Sequence, residues 1–375
     1  CARSHANASP SLPTAPGKMA GMRTALALLV AAVLGFGPTV PAIAGTVVPR
    51  DPGNGGPDHP RGGEGPEGSE VAFEFQDPRI SESSGLAPSL RHEGVWWTHN
   101  DSGEHEPHVY AVDEEGQTLA TVRLEVELRD WEAISVAEGP KGSPAIFVGD
   151  IGDNFGGGWP NIRVYRFDEP ETLNDATLSP TVLTFTYEDG GRDAESMMID
   201  PRDGRLYIAS KEFSGGLYAA PEEIDPEGEN VLERIDSAPL FATDAAFHPD
   251  GTRYAIRTYW GVSIYDSTDG VPGTSMGAFD LPEMEQGESV AFTPDGTALM
   301  AGTEGPHSPV WKVPLPDEYL DEERGESSPD TEDEEAAEDL EADQDEAGSA
   351  FGLILGGVAV TVVVIGGIVL LARKS

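Results

Sequence analysis

Five short segments of the chain open on a carboxylate and run on through small and apolar residues. They are Glu82-Ser-Ser-Gly-Leu-Ala-Pro88, Glu132-Ala-Ile-Ser-Val-Ala137, Glu195-Ser-Met-Met-Ile-Asp-Pro201, Asp244-Ala-Ala-Phe-His-Pro249 and Glu288-Ser-Val-Ala-Phe-Thr-Pro294. Carboxylates brought to one point suit a hard cation such as Ca²⁺, which takes about six to eight oxygen ligands. Several such groups held close together cannot all ionise without a counter-ion. Against this stands a plainer reading, in which acids at strand starts accept hydrogen bonds from neighbouring backbone N–H groups.

The elements that must position these acids follow from their spacing. The lead acids are separated by 50, 63, 49 and 44 residues, a period that signals a propeller or solenoid. Between Val71 and Pro316 the apolar runs are short, β-branched or aromatic, and broken by Gly, Pro and Asp, which reads as all-β. Each of the first four repeats supplies four candidate strands. The fifth supplies three, and Val71-Ala-Phe-Glu-Phe75 is left over before the first. An N-terminal strand that completes the last blade hides both free edges. The expectation is a β-propeller of five four-stranded blades closed in this way; the long second repeat keeps six blades as the alternative. Pro201-Arg-Asp-Gly204, Pro249-Asp-Gly251 and Pro294-Asp-Gly296 mark turns between the first and second strands of their blades.

Strand direction then places the lead acids at one mouth of the central channel, beside the residues that end the second strands. The resulting candidate metal set is Glu82, Glu132, Glu195, Glu288, Asn100, Asp101, Asp150 and Asn154, with only some of these as direct ligands. Lys211 and Arg257, taken as equivalent blade positions, would hold an anionic group of a substrate, or else neutralise Glu195 and Asp244. His99 is a candidate substrate-binding or acid–base group. Trp96, Trp97, Trp131 and Trp260 either line the mouth or pack between blades. No Gly-x-Ser-x-Gly elbow, His-Glu-x-x-His pair or P-loop is present in the sequence.

Glu82-Ser-Ser-Gly-Leu, His99-Asn-Asp-Ser-Gly, Asp130-Trp-Glu-Ala-Ile and Gly149-Asp-Ile-Gly-Asp-Asn cover about the first half of the domain. Through these segments the chain resembles bacterial secreted or membrane-anchored, WD-repeat-like propeller proteins. Its acid-led blades are also similar to calcium-dependent propeller hydrolases of the calcium-activated nucleotidase and lactonase or phosphotriesterase type. That resemblance implies calcium at the channel mouth. It brings no catalytic residue.

The rest of the chain reads as address and anchor. Residues 1–18 look like an upstream extension. Residues 19–44 read as a secretory signal, with Arg23, an apolar stretch from Ala25 to Phe36, and Ala42-Ile-Ala44 before the cut. Residues 45–70 form a Gly/Pro linker, 71–316 the propeller and 317–349 an acidic stalk. Between Asp317 and Glu346 there are 17 acids and one base. Residues 350–372 make a transmembrane helix followed by Arg373 and Lys374, a pair that stays cytoplasmic by the positive-inside rule. The expected location is a single-pass membrane protein with its propeller outside the cytoplasm, facing a small-molecule or protein ligand. Cys1, the only cysteine, precedes the signal, so the mature chain would have no disulfide. The net charge of −44 excludes a nucleic-acid partner, which needs Lys and Arg. It fits cation binding, and equally solubility alone.

Overall fold

The computed structural model describes residues 65–101 and 105–320, all within the compact unit His59–Ser375. The extension, signal, most of the linker, Ser102, Gly103, the stalk beyond Leu320, the apolar segment 350–372 and the tail lie outside the described residues. No helix among the described residues is long and apolar enough to cross a membrane.

The described chain is all-β, apart from one 3₁₀ turn. In order the strands are β1 (Glu70–Glu74), β2 (Ser83–Pro88), β3 (Trp96–Asn100), β4 (His108–Val112), β5 (Thr118–Leu124), β6 (Trp131–Glu138) and β7 (Pro144–Asp150). There follow β8 (Ile162–Asp168), β9 (Ala176–Leu178), β10 (Thr181–Tyr187), β11 (Ala194–Ile199), β12 (Leu206–Ser210), β13 (Gly216–Ala219) and β14 (Glu229–Ser237). The last are β15 (Ala242–Phe247), β16 (Arg253–Thr258), β17 (Gly261–Asp266), β18 (Thr274–Asp280), β19 (Gly287–Phe292), β20 (Ala298–Thr303) and β21 (Pro309–Pro314).

They form four sheets, ordered β2-β3-β4-β5-β9, β11-β12-β13-β14-β10-β8-β7-β6, β15-β16-β17-β18 and β1-β21-β20-β19. The large sheet is two antiparallel four-stranded units joined where β10 and β14 pair in parallel, from Thr184 opposite Glu229 to Tyr187 opposite Leu232. The first strands β2, β6, β11, β15 and β19 neighbour one another in a closed cycle. The architecture is propeller-like. Strand β1 pairs with β21, Val71 opposite Trp311, so the N-terminal strand does complete the last sheet. The long second repeat owes part of its length to residues 169–180, which carry β9 back to the edge of β5.

Apolar clusters fill the spaces between successive sheet units. Trp97 and Trp131 pack with Ile146, Val148 and Tyr165 in one of them, and neither indole is exposed. Trp96 packs with Phe73, Phe75 and Tyr110 in another. Core packing therefore accounts for three of the four tryptophans singled out above, while Trp260 stays 39% exposed. Tyr319 is buried beside Val313 and Leu315, so the fold continues past Pro316 into the first residues expected in the stalk. The Asp-Gly turns are present, with φ of 74°, 75° and 72° at Gly204, Gly251 and Gly296, the left-handed backbone that glycine takes at no steric cost.

Candidate metal centre

Every first strand breaks register with its second strand once, near its start. The register shifts between Ser83 and Gly85, Trp131 and Ala133, Ala194 and Ser196, Ala242 and Asp244, and Gly287 and Val290. An extra residue at such a bulge is left out of the ladder and its side chain re-aimed. The skipped residues are Ser84, Glu132, Glu195 and Thr243, with Glu288 and Ser289 in the last strand. Three of the five lead acids thus sit on bulges.

Glu82 and Asp244 do not. Glu82 lies two residues ahead of its bulge, is exposed, and pairs with His105 Nε2 at 2.9 Å. Its backbone carbonyl accepts from Asp101 N, as those of Asp193 and Gln286 accept from Lys211 N and Glu304 N. It belongs with Asp193 and Gln286 in an outer set, two residues before each bulge, which Asp130 joins. Asp244 lies one residue past its bulge and is buried. Its Oδ1 accepts from Ala245 N at 2.8 Å and its Oδ2 from Val290 N at 2.7 Å, tying β15 to β19. That is the backbone-capping role of the plainer reading.

The residues ending the second strands serve the loops. Asn100 Oδ1 accepts from the backbone N of Ser81 and Glu82, both at 3.0 Å, and its Nδ2 donates to Arg79 O. Asp150 accepts from Asp130 N at 2.9 Å, from Tyr165 Oη at 2.7 Å and from Arg129 Nε at 3.3 Å. Both side chains have spent their oxygens on holding the approach to the first strand.

Asp101, Asp130 and Glu132 do converge. Each offers one carboxylate oxygen, and the three lie within 4.8 Å of one another. Glu132 is buried, and Ser84 Oγ donates to its carboxylate at 3.3 Å. Asp130 accepts from Asn154 Nδ2 at 3.1 Å. Among the described residues no basic side chain forms an ion pair with Asp130 or Glu132. Burial, then the charges of Glu195, Asp101 and Asp130, push Glu132 well above the usual carboxylate range, against the pull of Lys211. Burial also raises Asp130, with Asn154 opposing and Asp193 adding to it. Gly152 makes the approach sterically possible: a Cβ there would lie 2.6 Å from Glu132 Oε1 and 2.8 Å from Asp130. Oxygen donors under mutual repulsion, in a cradle free of side-chain carbon, suit a divalent cation.

Across the mouth Glu195 already has a cation. Lys211 Nζ contacts Glu195 Oε1 and lies 5.1 Å from the centre of the Tyr259 ring. Burial works to lower Lys211, and Glu195 overrides it, so the ammonium stays charged. Burial and then Glu288 push Glu195 up to about 9, with Lys211 opposing. Glu288 rises to about 7 through burial, countered by Lys211 and reinforced by Glu304. One oxygen of each, Glu195 Oε2 and Glu288 Oε2, is buried without a hydrogen-bond partner.

Arg257 is not the counterpart of Lys211. It stands opposite Asp244 in the ladder, two positions earlier than Lys211 in its own strand pair. It is fully buried, and its Nη1 donates to Ser289 O and to Gly302 O at 2.7 Å, bridging two sheets. Burial lowers its pKa to about 10. His99 is also fully buried, edge-on to Trp131 at 5.9 Å, with Nδ1 against Asn100 O at 2.9 Å. Burial brings it down to about 4, so it is neutral at physiological pH. The geometry gives both residues a place inside the wall rather than at the mouth. Asp130 and Gly152 were outside the expected set. The signal for Asp130 is the acid two residues ahead of a bulge, in Glu82-Ser-Ser, Asp130-Trp-Glu and Asp193-Ala-Glu.

The fold and the mouth together define a propeller-like all-β protein with an acidic triad that could hold a metal ion. No protein-family model matches the chain, and no curated protein matches it. Among solved structures it is similar to U3-55K, with 14% identity over 62% of this chain and 68% of that one and a TM-score of 0.35. It is also similar to a Xanthomonas campestris protein described as a gluconolactonase important in glucose secondary metabolic pathways. There the identity is 15% over 69% of this chain and 99% of that one, with a TM-score of 0.40.

Proposed function

We propose that this chain is a five-bladed, divalent-cation-binding propeller whose ion, Ca²⁺ by the hardness of its ligands, sits among Asp101, Asp130 and Glu132. The observation that carries the reading is the asymmetry of the mouth. Glu195 has Lys211, whereas Asp130 and Glu132 have no ion-pair partner among the described residues although Glu132 is buried. Three carboxylates leave room for water or substrate to complete a coordination shell of about six to eight oxygens. A cation there would supply Lewis-acid polarisation of a lactone carbonyl or a phosphoryl oxygen. Hydrolysis of such an ester is the reaction class we attach to the site. Ser84 and Asn154, which touch Glu132 and Asp130, would orient the carboxylates.

The sequence at 19–44 and 350–372 supports placing this domain outside the cytoplasm on a single membrane anchor. A non-catalytic binding module is the second reading. It is favoured by aromatic rings exposed on loops at the mouth, Phe155 and Phe213 above all, and by the burial of His99 away from it.

Calorimetric titration of the full chain with Ca²⁺, Mg²⁺ and Zn²⁺, beside Glu132→Gln, tests the first reading. Saturable binding by the parent and its loss in the variant support it; absence of binding, or equal binding by both, ends it. A panel of lactones and phosphoesters, with and without chelator, then separates enzyme from binding module.

A further inference from the structure

The wall of the mouth around β12, β15, β16 and β19 carries a second feature that the cation reading does not use. The rings of Phe213, Phe241, Trp260 and Tyr259 follow one another edge to face, with centroids 6.5, 6.5 and 5.9 Å apart. Phe213 is 81% exposed and Trp260 39%. All four lie on loops at the end of the fold where the first strands begin. Phe241 holds φ at 54°, a conformation costly for a bulky side chain, which places its ring between the other two. An exposed aromatic run of this kind is uncommon without something to cover it.

Its inner end meets Lys211, the ion-pair partner of Glu195. The Tyr259 phenol is raised to about 12 by burial first and then, against Lys211, by the charges of Glu288 and Glu195. Glu288 is 4% exposed and keeps an unpartnered oxygen. Such a buried acceptor calls for a donor. The chain also shows how this place holds an ammonium: Lys211 sits on the Tyr259 face with its charge on Glu195. Glu195 contacts that lysine, and the charges of Glu288 and Glu304 act on it as well. A metal ion would not use ring faces; an organic cation uses both faces and carboxylates.

We propose that this half of the mouth binds a small ring-bearing organic ammonium ion, its charge on Glu288 and its ring along Tyr259, Trp260, Phe241 and Phe213. The site uses none of the triad's carboxylates, Asp101, Asp130 and Glu132. Its test is therefore run with chelator present, so that failure of one reading leaves the other standing.

The full chain is titrated calorimetrically with phenethylammonium and with 2-phenylethanol, which keeps the ring and loses the charge. Saturable binding of the ammonium, about tenfold or more tighter than the alcohol, is expected. Trp260→Ala and Glu288→Gln should each weaken it about tenfold. Phe213→Ser, at a side chain too exposed to affect folding, should weaken it about threefold. No saturable binding, equal binding of alcohol and ammonium, or ammonium binding indifferent to Phe213→Ser and Trp260→Ala would each overturn the proposal. Should Glu288→Gln melt early, the two aromatic variants and the alcohol still decide it.

Discussion

The two halves of the channel mouth are built from the same repeated strand, yet they solve the problem of buried acid in opposite ways. On one side Glu195 has Lys211, and Asp244 has two backbone N–H groups. On the other, Glu132 has a serine hydroxyl and, pressing on it, the charges of Glu195, Asp101 and Asp130. A carboxylate that has donors is part of the scaffold. One that has mainly other carboxylates must hold a proton or a cation. The lesson is that position in the repeat does not set the role of an acid. The number of donors within reach does.

Five expectations sharpen or break that contrast, from the largest effect down. Asp244→Ala should lower stability by about 3 kcal/mol, because it strands Val290 N–H and cuts a tie between β15 and β19. Urea denaturation reads this, and an unchanged midpoint would remove Asp244 from the scaffold. Glu132→Gln should do the reverse: cation affinity falls about 100-fold while the metal-free chain is at least as stable as the parent. Calorimetry and melting together check it, and a large loss of metal-free stability would move Glu132 to the scaffold side.

The third expectation concerns pH. Burial pushes Glu288 up to about 7 in the folded chain, above its ordinary 4.5, so the folded state holds the extra proton between those values. Stability without metal should then fall as pH rises from about 4.5 through about 7, by roughly 1–3 kcal/mol, and level off above. Glu132, also raised, adds in the same sense. Added Ca²⁺ should offset the loss at pH 8 and have little effect at pH 5, because it competes with protons for the triad. Melting temperatures across pH, with Ca²⁺ or chelator, would show a flat profile if the acids were not burdened in this way.

Gly152→Ala comes fourth. Its Cβ would push against Glu132 and Asp130, so Ca²⁺ binding should weaken about tenfold with only a small change in melting. Equal losses of both would point to backbone damage instead. Asn154→Ala comes last, with about a threefold loss of affinity, since it only steadies Asp130. Binding identical to the parent would put Asn154 outside the site.

Much of this was legible in the residues. The all-β class, the closing strand at Val71–Phe75 and the Asp-Gly turns follow from apolar patterning and turn chemistry, which are local. Glu132 and Asp101 could be named because strand direction alone carries them to one end of the ring. What misled was the alignment of repeats by their first acid. Glu82 matched Glu132 in type and offset, but the bulge puts Ser84 there instead. A one-residue break in pairing leaves little local trace in sequence, and it changes which side chain faces the channel. Lys211 and Arg257 were paired by the same count, and the ladder separates them by two positions.

By itself the sequence determined the kind of element, the order of the strands and the excess of acid, because periodicity, turn residues and charge are properties of neighbours along the chain. Only the tertiary structure decided which acids have donors. That depends on contacts such as Asp244 with Val290 or Lys211 with Glu195, groups 16 to 46 residues apart in the chain. The bulges and the packing of adjacent sheets bring those groups together, and with them decide how many donors each carboxylate has.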